Sequence, residues 1–152
     1  MNNTAVIGRA STDAGEEIFT SGVNGVGAAV VPGSALCYSL TASDGRTFVL
    51  PVSAATTNNF MAFAGVLVDT LGTGSFTARI KRYGVATVLC SGAALAVPGA
   101  HLGMANGTPA FQAYTIGQFD LTMLTAQSRR ATLLGTLTAG QGFALVKAFI
   151  NY

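Results

Sequence analysis

The feature that most constrains the fold of this chain is the spacing of its turn residues. From Val30 onward, short apolar stretches rich in Val, Leu, Thr, Phe and Tyr are separated by Gly, Pro, Asn or Asp at intervals of roughly 6 to 12 residues. Stretches this short suit β-strands, whereas a stable helix needs a longer amphipathic repeat. The chain is therefore predicted to be all-β, with short strands that form a barrel or a sandwich.

The turn residues divide the sequence into nine predicted strands. The dipeptides Asp44-Gly45 and Asn106-Gly107 predict hairpin turns, because these residues tolerate positive φ angles. The best helical candidate is 119–130, where Thr and Ser interrupt the apolar spacing, so we expect one short helix or a loop there. The predicted strands are 35–41, 46–52, 60–69, 76–82, 86–90, 102–105, 110–116, 131–138 and 143–150.

The two halves of the chain carry similar turns in the same order. Val-Pro-Gly occurs at 31–33 and again at 97–99, and each copy precedes a strand, a DG or NG turn and a second strand. Further similarities link 64–67 with 134–137, and 72–78 with 140–144. Three similarities in one order favour an internal duplication. We therefore predict one β domain, residues 30–152, built from two similar units at about 30–90 and 95–152.

The first 29 residues lack this pattern and are rich in Gly, Ala, Ser, Thr and Asn. We interpret residues 1–29 as an extended N-terminal arm that becomes ordered against a partner, with a frayed terminus as the alternative. Ile18, Phe19, Val23 and Val26 are unusually hydrophobic for a segment without a role. These four residues are candidate partner contacts.

Charge is scarce in this sequence. Half of the residues are hydrophobic and 9% are charged, against about 25% in typical soluble domains. Such a surface predicts burial in an oligomer or a larger assembly. The net charge of +2 is too small to indicate nucleic-acid binding.

Basic residues cluster at two places only, Arg79, Lys81 and Arg82, and Arg129-Arg130. They either protect a solvated strand edge from unwanted pairing or make a salt-sensitive contact with an acidic partner. We take Arg79, Lys81, Arg129 and Arg130 as further candidate partner contacts.

The residues needed for catalysis are also scarce. His101 is the single histidine, and Asp44, Asp69 and Asp120 stand apart from one another in the sequence. The glycine-rich stretch 22–27 matches neither the phosphate-binding nor the dinucleotide-binding loop pattern. We therefore predict no catalytic, cofactor-binding or metal-binding residues, and a protein that is not an enzyme.

Two further features bear on the compartment. Cys37 and Cys90 follow strand-like apolar residues, and we interpret both as buried thiols, with a disulfide as the alternative. The N-terminal sequence lacks the pattern of a signal peptide, and no run of about 20 apolar residues could span a bilayer. We expect a protein made in the cytoplasm that does not bind membranes.

Several segments together carry a resemblance to a known family: the two Val-Pro-Gly turns, 63–66, 83–88 and the C-terminal 135–150. Over about four-fifths of its length the chain resembles the capsid decoration, or cement, proteins of tailed phages. The resemblance implies a virion protein on the outside of an icosahedral head. It would bind the major capsid protein, often as a homotrimer, and stabilise the contacts between shell subunits.

Three other classes of function compete with this one. A phage tail, baseplate or fibre component would have a recognition role, although the absence of Trp weakens glycan binding. A small enzyme would need a site completed across a subunit interface. The chain is short for a major shell subunit.

Overall fold

The computed structural model describes residues 16–52, 59–92, 95–114, 131–140 and 142–151. Apart from one 3-10 turn at Phe60–Ala62, the regular structure in these residues is β-strand, which confirms the all-β fold. The strands are β1 Glu16–Asn24, β2 Ala35–Tyr38, β3 Thr47–Val49, β4 Phe63–Leu67, β5 Gly74–Ser91, β6 His101–Met104, β7 Phe111–Tyr114, β8 Ala131–Leu133 and β9 Phe143–Ile150.

Strand pairing closes two five-stranded barrels that share β5. The first barrel runs β1-β3-β2-β4-β5 and returns to β1, and the second runs β5-β7-β6-β8-β9 and returns to β5. In both, the first strand pairs parallel with the third and antiparallel with the last. Closure satisfies both edges of a sheet. Of the barrel or sandwich that the sequence predicted, the structure has the barrel, once in each of two similar β units.

The long strand β5 corrects one prediction. The sequence pattern predicted two strands, 76–82 and 86–90, with a break between them, but β5 is a continuous strand of 18 residues. At the predicted break, Gly84 has φ +96°, a conformation that side chains disfavour, and the chain continues through it. Pairing passes there from β1, at Tyr83, to β9, at Gly84. One strand therefore belongs to both barrels.

The two Val-Pro-Gly turns occupy equivalent places in the two barrels. In each barrel the turn glycine donates its N–H to a carbonyl at the end of the fourth strand, at 2.8 Å. An isolated antiparallel bridge precedes each turn. The hydrogen bonds are Gly33 to Leu67 and Gly99 to Leu133, and the bridges are Val30–Leu71 and Ala96–Leu137. The sequence similarity thus corresponds to repeated backbone hydrogen bonding, while the residue boundaries of the two units stay predictions.

Part of the predicted arm differs from the expectation. Residues 1–15 lie outside the described residues, but residues 16–24 form β1 and pair with β5 of the same chain instead of awaiting a partner. Packing in β1 requires a glycine at position 22. A Cβ on Gly22 would lie 2.5 Å from both the Phe48 ring and the Arg46 carbonyl oxygen. Gly22 therefore lets β1 approach β3 and close the first barrel.

The apolar side chains form two clusters, and the larger one contains residues from both barrels. Val30, Leu36, Phe48, Ala64, Leu67, Leu71 and Ile80 form the first cluster, inside the first barrel. The larger cluster fills the second barrel and includes residues from β2 and β4 of the first. Across this boundary, the Cys37 Sγ lies 3.7 Å from the Met104 Sδ, and the Phe63 and Phe111 rings meet edge to face. The two barrels therefore pack through a common apolar interface.

The structure confirms the predicted hairpin turns but not all of the predicted strand ends. Gly45 and Gly107 both have positive φ and connect antiparallel strands, which confirms the turns at Asp44-Gly45 and Asn106-Gly107. Strands predicted at 35–41, 60–69 and 131–138 are shorter in the structure. At the end of predicted strand 131–138, for example, Leu137 leaves the ladder and forms a single bridge with Ala96. The candidate helix at 119–130 lies outside the described residues.

Candidate functional site

A groove of about 290 Å³ lies over β5 where the two barrels meet. One wall is the first Val-Pro-Gly turn and the end of β4, and the other is a side chain of β9. The floor of the groove is the part of β5 that follows Tyr83, where β9 replaces β1 as the paired strand. The lining residues are Pro32, Gly33, Val66, Leu67, Val68, Lys81, Val85, Ala86, Thr87 and Leu145.

Gly33 brings the turn against β5. Its carbonyl oxygen accepts a hydrogen bond of 2.8 Å from the backbone N–H of Leu89. Its φ of +87° favours glycine, and a Cβ there would lie 3.0 Å from the Leu89 nitrogen and 2.9 Å from the Leu145 Cδ2. Only a residue without a side chain fits this approach, so Gly33 fixes the width of the groove.

An apolar stripe continues from the groove along β9. Phe143 and Leu145 are 62% and 60% exposed, and Lys147 follows on the same face because side chains alternate along a strand. Their partners on β5 are Ser91, Leu89 and Thr87. We call Thr87, Leu89, Ser91, Phe143, Leu145 and Lys147 the β5–β9 outer face. This face offers apolar surface to water with one formal charge.

Lys81 is the candidate contact that lines the groove. It is 7% exposed, and its strand is paired on both sides there, with Glu17 of β1 and Val66 of β4. The edge-guarding interpretation is therefore wrong for Lys81, because β5 is not an edge strand at this point.

Arg79 lies elsewhere and has a partner within the fold. Its Nε and Nη2 donate to the two carboxylate oxygens of Asp69, at 3.0 and 2.9 Å. The hydrogen bonds from Arg79 hold the pKa of Asp69 below its ordinary value. Exposed pairs of this kind contribute little to stability, because solvent screens the two charges. The ion pair links the end of β4 to β5 on the first barrel.

The remaining candidate contacts do not gather at the groove. Backbone pairing places Ile18 opposite Ile80, and Phe19 opposite Arg79, in β1. Val23, also in β1, is 37% exposed. The six candidates that lie within the described residues therefore do not form one site.

Val26 follows β1 and packs, partly buried, against the first apolar cluster. Asn24 holds the local chain: its Oδ1 accepts the Val26 N–H, and its Nδ2 donates to the Ala28 and Gly72 carbonyl oxygens. Val26 thus contributes to packing of the fold. Arg129 and Arg130 lie outside the described residues.

The titratable groups have local structural roles. The backbone N–H groups of Arg46 and Thr47 and the Thr47 hydroxyl donate to Asp44, and lower its pKa to about 2. Burial raises the pKa of the Cys90 thiol to about 12. Cys37 and Cys90 are both buried and neither forms a disulfide bond, which confirms the interpretation from the sequence. His101 begins β6 and is partly buried.

The described part of the chain holds no group of three or more His, Cys, Asp or Glu residues placed to bind a metal ion. It also holds no helix long and apolar enough to cross a membrane. The groove and the β5–β9 outer face together present aliphatic side chains, with Lys81 and Lys147 nearby.

The groove was not predicted from the sequence, although one signal for it was present. In the predicted strand 143–150, both faces carry apolar residues: Phe143 and Leu145 on one, and Val146 and Ala148 on the other. A strand of a small barrel needs only one apolar face for the interior. The second apolar face indicates a contact outside the barrel.

Neither a family model nor a curated protein sequence matches this chain. Among solved structures, the fold is similar to "head fiber gp8.5 N base in bacteriophage phi29", with a TM-score of 0.54 and 14% sequence identity. The similarity covers 90% of this chain and 95% of that chain. The chain therefore shares the fold of a phage head-fiber base.

Proposed function

We propose that this protein is a non-enzymatic structural component of a phage virion, which binds the outside of the head and stabilises contacts between shell subunits. The observation that supports the proposal most is the fold shared with a phage head-fiber base over nine-tenths of the chain. Fold alone does not specify function. The surface chemistry supplies a second line of support.

The exposed surface is rich in large apolar side chains. Ten of them are exposed among the described residues, while 9% of the sequence is charged. Virion proteins remove part of such surface from water by packing against one another, so assembly would explain the composition. The exposed side chains are Val23, Val31, Leu40, Met61, Tyr83, Leu95, Val97, Leu134, Phe143 and Leu145.

The proposed partners are further copies of the chain, with a trimer favoured, and the major capsid protein. A location on the capsid exterior follows from this assignment, after synthesis in the host cytoplasm. The proposal includes no cofactor, nucleic acid or membrane, in keeping with a low net charge of +2.

A second candidate is a fibre base, which would anchor a receptor-binding element instead of reinforcing the shell. The similarity to a head-fiber base favours this candidate. Copy number distinguishes the two functions. A reinforcing protein occupies most equivalent sites on the shell, in hundreds of copies, whereas a fibre base occupies a subset.

The test uses heads assembled from the major capsid protein of the phage that encodes this chain. Purified protein is added to heads that lack it, and bound copies are counted after sedimentation. The melting temperature of the heads is measured with and without the protein. Saturable binding with a higher melting temperature supports the reinforcing function, and binding without a thermal shift supports the fibre base. Failure to sediment with the heads contradicts both.

A further inference from the structure

We propose that the groove between the barrels, with the β5–β9 outer face, is the docking site for an extended segment of the shell subunit that carries aliphatic side chains beside a carboxylate. The naming of the shell subunit rests on the proposed function. The chemistry of the segment rests on the groove itself.

The size and lining of the groove favour peptide side chains. Its volume of about 290 Å³ is at the lower end of the roughly 300–1,000 Å³ typical of ligand pockets. Pro32, Val66, Val85 and Leu145 supply apolar walls, and the lining has few polar side chains to orient a cofactor. A few aliphatic side chains of an extended segment suit such a space.

The charges near the groove favour an acidic segment. Lys81 lines the groove, and Lys147 lies directly across from the lining residue Thr87 on the neighbouring strand. Residues directly opposite in an antiparallel pair have Cβ atoms about 5 Å apart, so Lys147 borders the groove. The lining residues in the described part of the chain include no acid. A carboxylate at this rim would therefore be attracted by Lys147.

The apolar stripe beside the groove supplies the contact area. Phe143 and Leu145 are more than half exposed on adjacent positions of one face. Burying them removes apolar surface from water, which is the main source of affinity in such contacts. An extended segment that crosses the groove and follows β9 would cover Leu145 first.

The variant Leu145→Ser tests the apolar contact, and Leu95→Ser is its matched control. Both leucines are 60% exposed, but Leu95 does not line the groove. Binding to heads is measured by sedimentation at increasing protein concentration. Losing the exposed part of a leucine should weaken binding roughly five- to thirtyfold for Leu145→Ser. Leu95→Ser should stay within about twofold of the wild type. Equal affinity of the two variants would overturn the proposal.

The variants Lys147→Glu and Lys147→Arg test the acidic partner. Charge reversal should weaken binding to heads about tenfold at low salt and less at high salt, whereas the arginine variant should retain binding. Unchanged binding after charge reversal would overturn the carboxylate part of the proposal. Each variant is checked for the wild-type unfolding midpoint, so that a folding defect is recognised.

A separate probe distinguishes failure of this inference from failure of the proposed function. The acetylated, amidated peptides Leu-Val-Asp and Leu-Val-Lys are titrated against the full chain, and methyl NMR signals of Val85 and Leu145 are followed. Shifts with the acidic peptide alone support the groove even if the protein does not bind heads. Shifts with neither peptide overturn it. A change in the solution mass of the free protein caused by Leu145→Ser would assign the face to a second copy instead, and would also overturn it.

Discussion

Replacing Gly33 by alanine should destabilise the protein more than the same replacement at Gly99, although the two glycines occupy equivalent turns. Their φ angles are +87° and +92°. An L residue in this left-handed region costs about 1–2 kcal/mol. A Cβ on Gly99 meets no atom within 4 Å, so Gly99→Ala should cost only that conformational strain.

Gly33→Ala carries a further cost, which can take one of two forms. The new Cβ would lie 3.0 Å from the Leu89 backbone nitrogen, which cannot move without disturbing β5. Overpacking of this kind costs about 1–3 kcal/mol. Moving the turn away would instead lengthen the 2.8 Å hydrogen bond from Leu89 to Gly33, at about 1 kcal/mol. We therefore expect an excess over Gly99→Ala of about 1–3 kcal/mol, and a total of about 2–5 kcal/mol.

The assay is urea unfolding of the wild type and both variants at one protein concentration, because association would shift the midpoint with concentration. The free energy of unfolding is obtained by linear extrapolation, and equal slopes are required for comparison. Losses that agree within about 0.5 kcal/mol would refute the reasoning, since the contact between the Gly33 turn and β5 would then contribute nothing.

Three other predictions concern single side chains. Because the pKa of Asp44 falls from 3.8 to about 2 on folding, its contribution to stability is present above pH 4 and lost as the pH falls towards 2. The stability difference between the wild type and Asp44→Asn should therefore shrink across that window. Cys90, with a pKa of about 12, should resist alkylation in the native protein at pH 8 and react in urea. The Ser34 Oγ is buried without a hydrogen-bond partner in the described structure, so Ser34→Ala should keep or raise stability, by up to about 1 kcal/mol.

Each of these predictions has a contrary outcome. A constant stability difference between pH 5 and pH 2 would mean that Asp44 does not hold its turn through the charged form. Rapid native alkylation of Cys90 would indicate local opening of the second barrel. A loss of stability in Ser34→Ala, measured by urea unfolding, would show that the hydroxyl has an unseen partner such as bound water.

The sequence predicted those features of the fold that depend on local conformation. Asp44-Gly45 and Asn106-Gly107 form the expected turns because the glycines need positive φ whatever surrounds them. Strand 143–150 was predicted at its observed bounds because turn residues limit it at its start. The two Val-Pro-Gly turns could be recognised because the same three residues recur in the sequence. In the structure, each turn glycine makes the same hydrogen bond to the fourth strand of its barrel.

The candidate site was predicted less well, because contacts across the fold decide it. Lys81 and Arg79 lie two residues apart, yet one lines a groove and the other pairs with Asp69. Strand alternation assigns both residues to one face and cannot show which elements cover that face. The sequence analysis did not identify Leu145 as a contact residue. An apolar residue in a strand is assigned to the core unless the structure shows that its side chain is exposed.

By itself, the sequence determined that this chain is all-β, that its turns repeat, and that its surface is poorly charged. The tertiary structure alone decided that β5 is continuous, that β1 closes the first barrel, and that the two barrels form a groove. Turn preference depends on a few neighbouring residues, and composition depends on no contact at all, so both can be determined from the sequence. Barrel closure brings Gly22 to Phe48 and Gly33 to Leu145, and such distant contacts are set by packing of the whole chain.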